Sequence, residues 1–314
     1  MNFDKSIIKN TYERISPYIN KTPVITSQIL NNLFKTEIFF KAENLQKAGA
    51  FKSRGAVNAI FSLTENELKN GVATHSSGNH AQALARAASL RNCKAYIVMP
   101  ENSPKIKIQA VKFYGGDITF CKPTLADREN TLKVIIDKTK AKEIHPYNNQ
   151  LIIEGQSTAA FEFYSQVENL DYILTPVGGG GLTSGTALAT AFFSPKTKVI
   201  AVEPEQANDA YLSFINNTII PSVNPNTIAD GLRTSLGDLT FPIIKKYVSE
   251  IVTVSEEAII KSMKLFWETA KLIIEPSSAV CIAALFENKF DFRNKRIGII
   301  LSGGNVDLDK LPWQ

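Results

Sequence analysis

The chain has 314 residues, 44% of them hydrophobic and 21% charged, with a formal net charge of +5. This is the balance of a globular protein with one or two domains. The dispersed charge, with no Lys/Arg run, argues against nucleic-acid binding, and no apolar run approaches membrane-spanning length.

The predicted elements follow in chain order. Residues 4–16 read as an amphipathic helix with Ile7, Ile8, Tyr12 and Ile15 on one face. Thr22-Pro23-Val24 is an extended entry, and Ile38–Ala42 a buried strand. A small-residue turn centred on Lys52 comes next, then a helix from Ala56. Val72–Thr74 is a strand running into Ser76-Ser77-Gly78-Asn79-His80, and an alanine-rich helix covers Ala81–Leu90. Strand Ala95–Met99, helix Pro104–Phe113, strand Asp117–Phe120 and helix Ala126–Lys138 continue the alternation. Helix Gly155–Val167 leads to strand Tyr172–Val177, a four-glycine loop and a helix from Thr183. Strand Lys198–Val202, helix Ala207–Ile215, helix Phe241–Tyr247, strand Ile251–Thr253, helix Glu256–Ala270, helix Pro276–Leu285 and strand Arg296–Leu301 complete the chain. Strands alternating with helices predict an α/β fold of open parallel sheets covered on both faces.

Three scattered cysteines, Cys93, Cys121 and Cys281, form no metal-type pair, and Met1–Lys5 lacks the apolar core of a secretory leader. The expected compartment is the cytoplasm.

Four turns carry the chemistry. A lysine held where a strand meets a helix is desolvated; this lowers its pKa and makes the amine nucleophilic, as imine formation with a carbonyl requires. Lys52 is so placed. Gly178-Gly179-Gly180-Gly181-Leu182 follows a buried strand and opens a helix, so its amides form a phosphate cradle. It is not a P-loop, because Thr186 stands where the lysine belongs, and neither glycine register completes the dinucleotide fingerprint. Ser76–His80 offers hydroxyls and amides at a helix start, which suits a carboxylate. Ser302-Gly303-Gly304-Asn305 leaves room for a ring and offers one hydroxyl. All four lie at the carboxyl ends of strands, where open α/β sheets bind ligands. A nucleophilic amine, a monophosphate cradle, a carboxylate turn and a hydroxyl together suggest pyridoxal 5'-phosphate.

Lys41–Gln46, Phe51–Ala56, Ser76–His80, Gly178–Gly181, Thr227–Gly231, Glu275-Pro276 and Ser302–Asn305 together resemble the serine/threonine dehydratase and serine racemase family. That family has the pyridoxal-phosphate fold known as type II, the tryptophan-synthase-β type. The resemblance covers nearly the whole chain. The expectation is of the short-dehydratase and racemase type, without an appended regulatory domain after Gln314.

The resemblance implies that Lys52 carries the cofactor, Phe51 lies against its ring, Asn79 bonds the ring 3-hydroxyl, Gly178–Leu182 hold the phosphate, and Ser302 faces the ring nitrogen. Ser76, Ser77, Asn79 and His80 would receive the substrate carboxylate. Arg128 matches a position near a substrate's distal carboxylate. Glu203, the Ala207 carbonyl and Asp209 match a divalent-cation site, and oxygen ligands suit Mg²⁺ or Ca²⁺. Ser77 matches the serine that gives racemases a second proton donor. Two positions depart from the family: Ala50 replaces the usual serine, and Ser157 a usual glycine.

The implied activity is dehydration of L-threonine or L-serine to 2-oxobutanoate or pyruvate plus ammonia, with serine racemisation alongside. Serine racemase as the main role, or threo-3-hydroxyaspartate dehydratase, are the alternatives. A β-replacement synthase shares the fold, but His80 and Ala81 depart from the synthases' Ser-Gly-Asn-Thr-Gly turn. A silent amino-acid sensor would keep the pocket without needing Lys52. The expected partner is a small amino acid, and the expected assembly a homodimer. Residues 1–70 and 149–314 are expected to form a large cofactor-binding domain, with 71–148 inserted as a small mobile one and the cofactor in the cleft between them.

Overall fold

The computed structural model describes residues 3–76 and 78–314. Two sheets organise them. The strands are β1 (Val24–Ile25), β2 (Glu37–Ala42), β3 (Val72–His75), β4 (Ala95–Pro100), β5 (Asp117–Cys121), β6 (Lys142–Glu143), β7 (Tyr172–Pro176), β8 (Lys198–Pro204), β9 (Glu250–Val254) and β10 (Arg296–Leu301). The larger sheet runs β1-β2-β10-β7-β8-β9 and the smaller β5-β4-β3-β6. Every pairing is parallel except β1 with β2, an antiparallel edge where Val24 faces Lys41. The architecture is therefore the α/β, two-sheet one read from the sequence, with that one reversed edge strand.

Short continuous apolar strands such as Ile297–Leu301 are buried on both faces, as a helix-covered parallel sheet requires. Alternate residues serve different layers. Ile297, Ile299 and Leu301 pack with helices Glu256–Ala270 and Pro276–Phe286, whereas Ile300 joins the layer of helices Gln150–Tyr164 and Gly181–Phe193. At Gly298 a Cβ would meet Leu170 at 2.7 Å, so glycine lets that second layer close onto β10. In the smaller sheet Val72, Ala95, Ile97 and Met99 pack with helix Asn79–Ser89, while Ala73, Val98 and Cys121 face Leu132.

Several boundaries differ from those read in the sequence. The helix expected from Ala56 begins at Lys52, with Phe51 as its cap residue, so the lysine stands in the first turn. The helix expected at Gly155–Val167 is Gln150–Tyr164, capped by Asn149, whose side chain accepts from the Ile152 amide. Helix Gln28–Phe34, capped by Ser27, carried no visible periodicity because it is only two turns long. Strand β6 is a two-residue edge of charged residues and was equally silent.

Strands β2, β10 and β7 are neighbours, so the turns that leave their carboxyl ends are neighbours too. The Phe51 amide donates to the Ser302 carbonyl at 3.0 Å, and Gly304 to Gly49 at 2.9 Å. This lashes the Lys52 turn to the Ser302 turn.

Candidate active site

A cavity of about 480 Å³ lies between the two sheets, in the size range of small-molecule sites. Phe51, Lys52, Ser76, Asn79, His80, Arg128, Gly178, Gly179, Gly180, Gly181, Leu182 and Ser302 all line it. Ser77, the expected second proton donor, lies outside the described residues. Glu203, Ala207 and Asp209 lie elsewhere, at the end of β8 and in the turn and helix that follow.

The Lys52 amine is enclosed although the residue as a whole is partly exposed. Burial alone draws its pKa down to about 8. Nζ donates to the Pro146 carbonyl at 2.7 Å, and no carboxylate forms an ion pair with it among the described residues. A buried amine facing a cavity without an acid partner is primed to lose its proton or form a covalent bond.

The helix that carries Lys52 is anchored from behind. Arg54 is fully buried; its Nε and Nη2 each donate to a Glu43 carboxylate oxygen at 2.7 Å. Glu162, on helix Gln150–Tyr164, takes both Arg54 and the buried Lys41, and the Thr22 amide donates to it at 2.9 Å. Two cations and two anions thus cancel within the core, which is the condition for keeping charges there. Sequence reasoning missed this quartet because its members lie up to 121 positions apart.

Gly180 has φ +86°, the left-handed region, and opens helix Gly181–Phe193. Gly181 and Leu182, the first two residues of that helix, line the cavity, and a helix start is a setting suited to an anion. At the opposite end Ser302, 2% exposed, sits 3.1 Å from the hydroxyl of Ser278. Ser278 also bonds both the amide and the carbonyl of Gly303, so it holds the turn.

Asn79 is held more tightly than its sequence position revealed. Its Nδ2 donates to Glu275 at 2.7 Å, and its Oδ1 accepts from Asn305 at 2.9 Å. One Nδ2 hydrogen remains for a ligand. Glu275 is buried, and that burial raises its pKa to about 7 despite Lys107 nearby. Lys107, itself buried, pairs with Asp230 across the cleft. His80 is buried with Nε2 donating to the Ile144 carbonyl at 3.2 Å; burial, with the Lys52 charge, keeps it neutral. His75 and His145 are likewise drawn to about 4, chiefly by burial. Arg128, on helix Leu125–Thr139, reaches only its own Thr124 carbonyl, and no carboxylate pairs with it among the described residues.

Away from the cavity, Glu203 is fully buried and accepts the Ala210 and Tyr211 amides at 3.0 and 2.9 Å. Asp209 is 3% exposed, and neither of its carboxylate oxygens has a partner among the described residues. Burial and their mutual repulsion push Glu203 to about 9; burial pushes Asp209 to about 7. No third acidic, histidine or cysteine side chain joins them among the described residues. The donor set is thus all oxygen, and its orphaned carboxylate suits a hard cation.

The fold and the site define a pyridoxal-phosphate enzyme. A family model described as "Pyridoxal-phosphate dependent enzyme" matches residues 15–303, and the chain belongs to that family. It is 51% identical over 308 residues to the serine racemase of Dictyostelium discoideum, covering 97% of this chain and 95% of that protein. It is 49% identical over 302 residues to the beta-hydroxyaspartate dehydratase of Paracoccus denitrificans, covering 96% of each. The crystal structure of the T.th. threonine deaminase superimposes with a TM-score of 0.92 at 38% identity, covering 98% of this chain and 99% of that one. The expectation that dehydration of L-threonine or L-serine is the main role is therefore less well supported than the serine racemase and hydroxyaspartate dehydratase alternatives. The residues present fit the cofactor: an enclosed amine without an acid partner, a helix start that opens in a left-handed glycine, and a neutral hydroxyl line one cavity.

Proposed function

We propose that this enzyme racemises serine and removes water and ammonia from β-hydroxy-α-amino acids, with serine and 3-hydroxyaspartate ahead of threonine. The observation that carries the reading is the enclosed Lys52 amine, whose pKa near 8 and lack of an acid partner suit a base at a substrate Cα. When bound, pyridoxal phosphate supplies an electron sink that acidifies the Cα proton of an amino acid. Lys52 takes that proton at Nζ, with the Pro146 carbonyl orienting the amine. The Gly178–Leu182 amides would hold its phosphate, with Phe51 available to the ring and the remaining Asn79 hydrogen to the ring hydroxyl. Ser302 would offer a hydroxyl rather than a carboxylate to the ring nitrogen, which would disfavour transamination. The Ser76–His80 turn receives the substrate carboxylate. Ser77 gives the second proton that racemisation needs.

Arg128 specifically favours 3-hydroxyaspartate as a further substrate. A guanidinium lining the cavity without an acidic partner is suited to a second carboxylate. The beta-hydroxyaspartate dehydratase at 49% identity supports the same reading.

The cleft position of the cavity supports treating residues 71–148 as a small domain that closes on residues 1–70 and 149–314, excluding water. Glu203, the Ala207 carbonyl and Asp209 bind Mg²⁺ or Ca²⁺ in a structural role, a reading supported by the unpartnered Asp209 oxygens. Three free cysteines agree with a reducing cytoplasm, and a homodimer is the assembly we adopt.

The test is to give the purified holoenzyme L-serine, D-serine, L-threonine and threo-3-hydroxyaspartate, following ammonia and enantiomer. Both D-serine formation and ammonia release are expected, with kcat/KM for serine or hydroxyaspartate above that for threonine. Borohydride should fix the cofactor to Lys52. Threonine preferred over all others, with no D-serine formed, would refute the reading.

A further inference from the structure

The segment His145-Pro146-Tyr147-Asn148 crosses the cavity wall between the two sheets, and successive residues touch different parts of the site. The Pro146 carbonyl holds the Lys52 amine at 2.7 Å. One residue later, the Tyr147 ring lies on the glycine loop. A Cβ placed at Gly179 would overlap that ring, and one at Gly181 would stand 3.0 Å from the Tyr147 Cβ. The segment is tied on both sides. The His145 Nδ1 accepts the Asn148 amide at 2.9 Å, and its ring meets Tyr147 edge-on with centroids 4.6 Å apart. Asn148 donates to Asp238 at 2.6 Å and accepts from the Leu239 amide at 3.0 Å. Thr240, one residue beyond Leu239, donates to the Gly179 carbonyl at 2.9 Å. The loop is therefore gripped by the Tyr147 ring and by a hydroxyl from a stretch that Asn148 fixes.

We propose that Tyr147 is a positioning residue whose ring holds the glycine loop in its anion-binding shape and sets that loop's spacing from the Lys52 amine. The glycines at 179 and 181 have a reason beyond close approach of a phosphate: the ring occupies the space a side chain would need. The ring acts as an uncharged wall, since burial raises the phenol to about 12 and holds the neighbouring His145 near 4. The inference rests on the cofactor reading above.

The experiment is a double-mutant cycle read by the dissociation constant of pyridoxal phosphate for the apoenzyme and by the visible absorption of the reconstituted protein. Tyr147→Phe keeps the ring and should bind the cofactor within about threefold of the unsubstituted protein. Tyr147→Ala should weaken binding at least tenfold and shift the visible maximum. Gly179→Ala should weaken binding by a similar factor. Added to Tyr147→Ala it should cost less than threefold more, because the ring it collides with is gone. If Tyr147→Ala does not fold, Tyr147→Leu replaces it in the cycle with the same expectation. Tyr147→Ala at unchanged affinity and spectrum, Tyr147→Phe as impaired as Tyr147→Ala, or losses that simply multiply would each overturn the inference alone. An unsubstituted protein that binds no pyridoxal phosphate would overturn the cofactor reading and this inference with it.

Discussion

Without a bound cation, the Glu203/Asp209 pair should make stability fall as pH rises. Both carboxyls are raised by burial, Glu203 to about 9 from 4.5 and Asp209 to about 7 from 3.8. An acid whose folded pKa lies above its unfolded value binds more protons folded than unfolded between the two. Stability is therefore fully present below the unfolded values and is lost as pH climbs toward the folded ones. Each such group contributes a slope of about 1.4 kcal/mol per pH unit. Between pH 5.5 and 7.5 Glu203 alone removes roughly 3 kcal/mol, on the order of 4–5 °C in Tm for a chain of this length. A bound Mg²⁺ or Ca²⁺ favours the ionised forms and offsets that slope. The assay is calorimetry of chelator-treated protein at both pH values, with and without each cation. The chelated protein should lose several degrees on going to pH 7.5, the cation should restore most of them, and Glu203→Gln should flatten the response. A chelated protein equally stable at both pH values, or a Glu203→Gln variant with an unchanged cation response, would refute the reasoning.

Other substitutions probe the cavity and its support. Arg128→Met should lower kcat/KM for threo-3-hydroxyaspartate at least tenfold more than for L-serine, as expected from losing a charge-assisted bond of roughly 1.5–3 kcal/mol; steady-state kinetics on the two substrates decides it. Ser77→Ala should abolish D-serine formation while L-serine elimination persists, and equal loss of both in a coupled ammonia and enantiomer assay would assign the residue to carboxylate binding instead. Arg54→Met leaves Glu43 and Glu162 with only Lys41 to balance them, and should cost about 3–5 kcal/mol in urea denaturation; a change under 1 kcal/mol would mean that the quartet is dispensable.

What the amino-acid sequence determined by itself is local. Apolar runs of strand length alternating with helical periods define the α/β class, because pleat and helix have different side-chain spacings. Turn chemistry is equally local: consecutive glycines after a strand, Ser and Asn before a helix, and a lysine among small residues are legible because the backbone geometry they allow belongs to those few residues. The departures at Ala50 and Ser157 were legible too. The structure gives Ala50 a backbone bridge to Gly303, which needs no side chain, and buries Ser157 with its hydroxyl on the Glu154 carbonyl.

Only the tertiary structure decided which turns meet and what holds them. Strand β10 is last in sequence yet lies between β2 and β7, which brings Ser302 beside the Lys52 turn from the far end of the chain. The Pro146 carbonyl on Lys52, the Glu275–Asn79–Asn305 chain, the Lys107–Asp230 pair and the placement of Arg128 on the cavity follow from sheet order and crossover paths. Hydrophobic periodicity shows which face of an element is buried but is silent on the element that covers it. Partners so far apart in sequence leave no period to read; their pairing is fixed by packing, where each buried charge and polar group must find its complement.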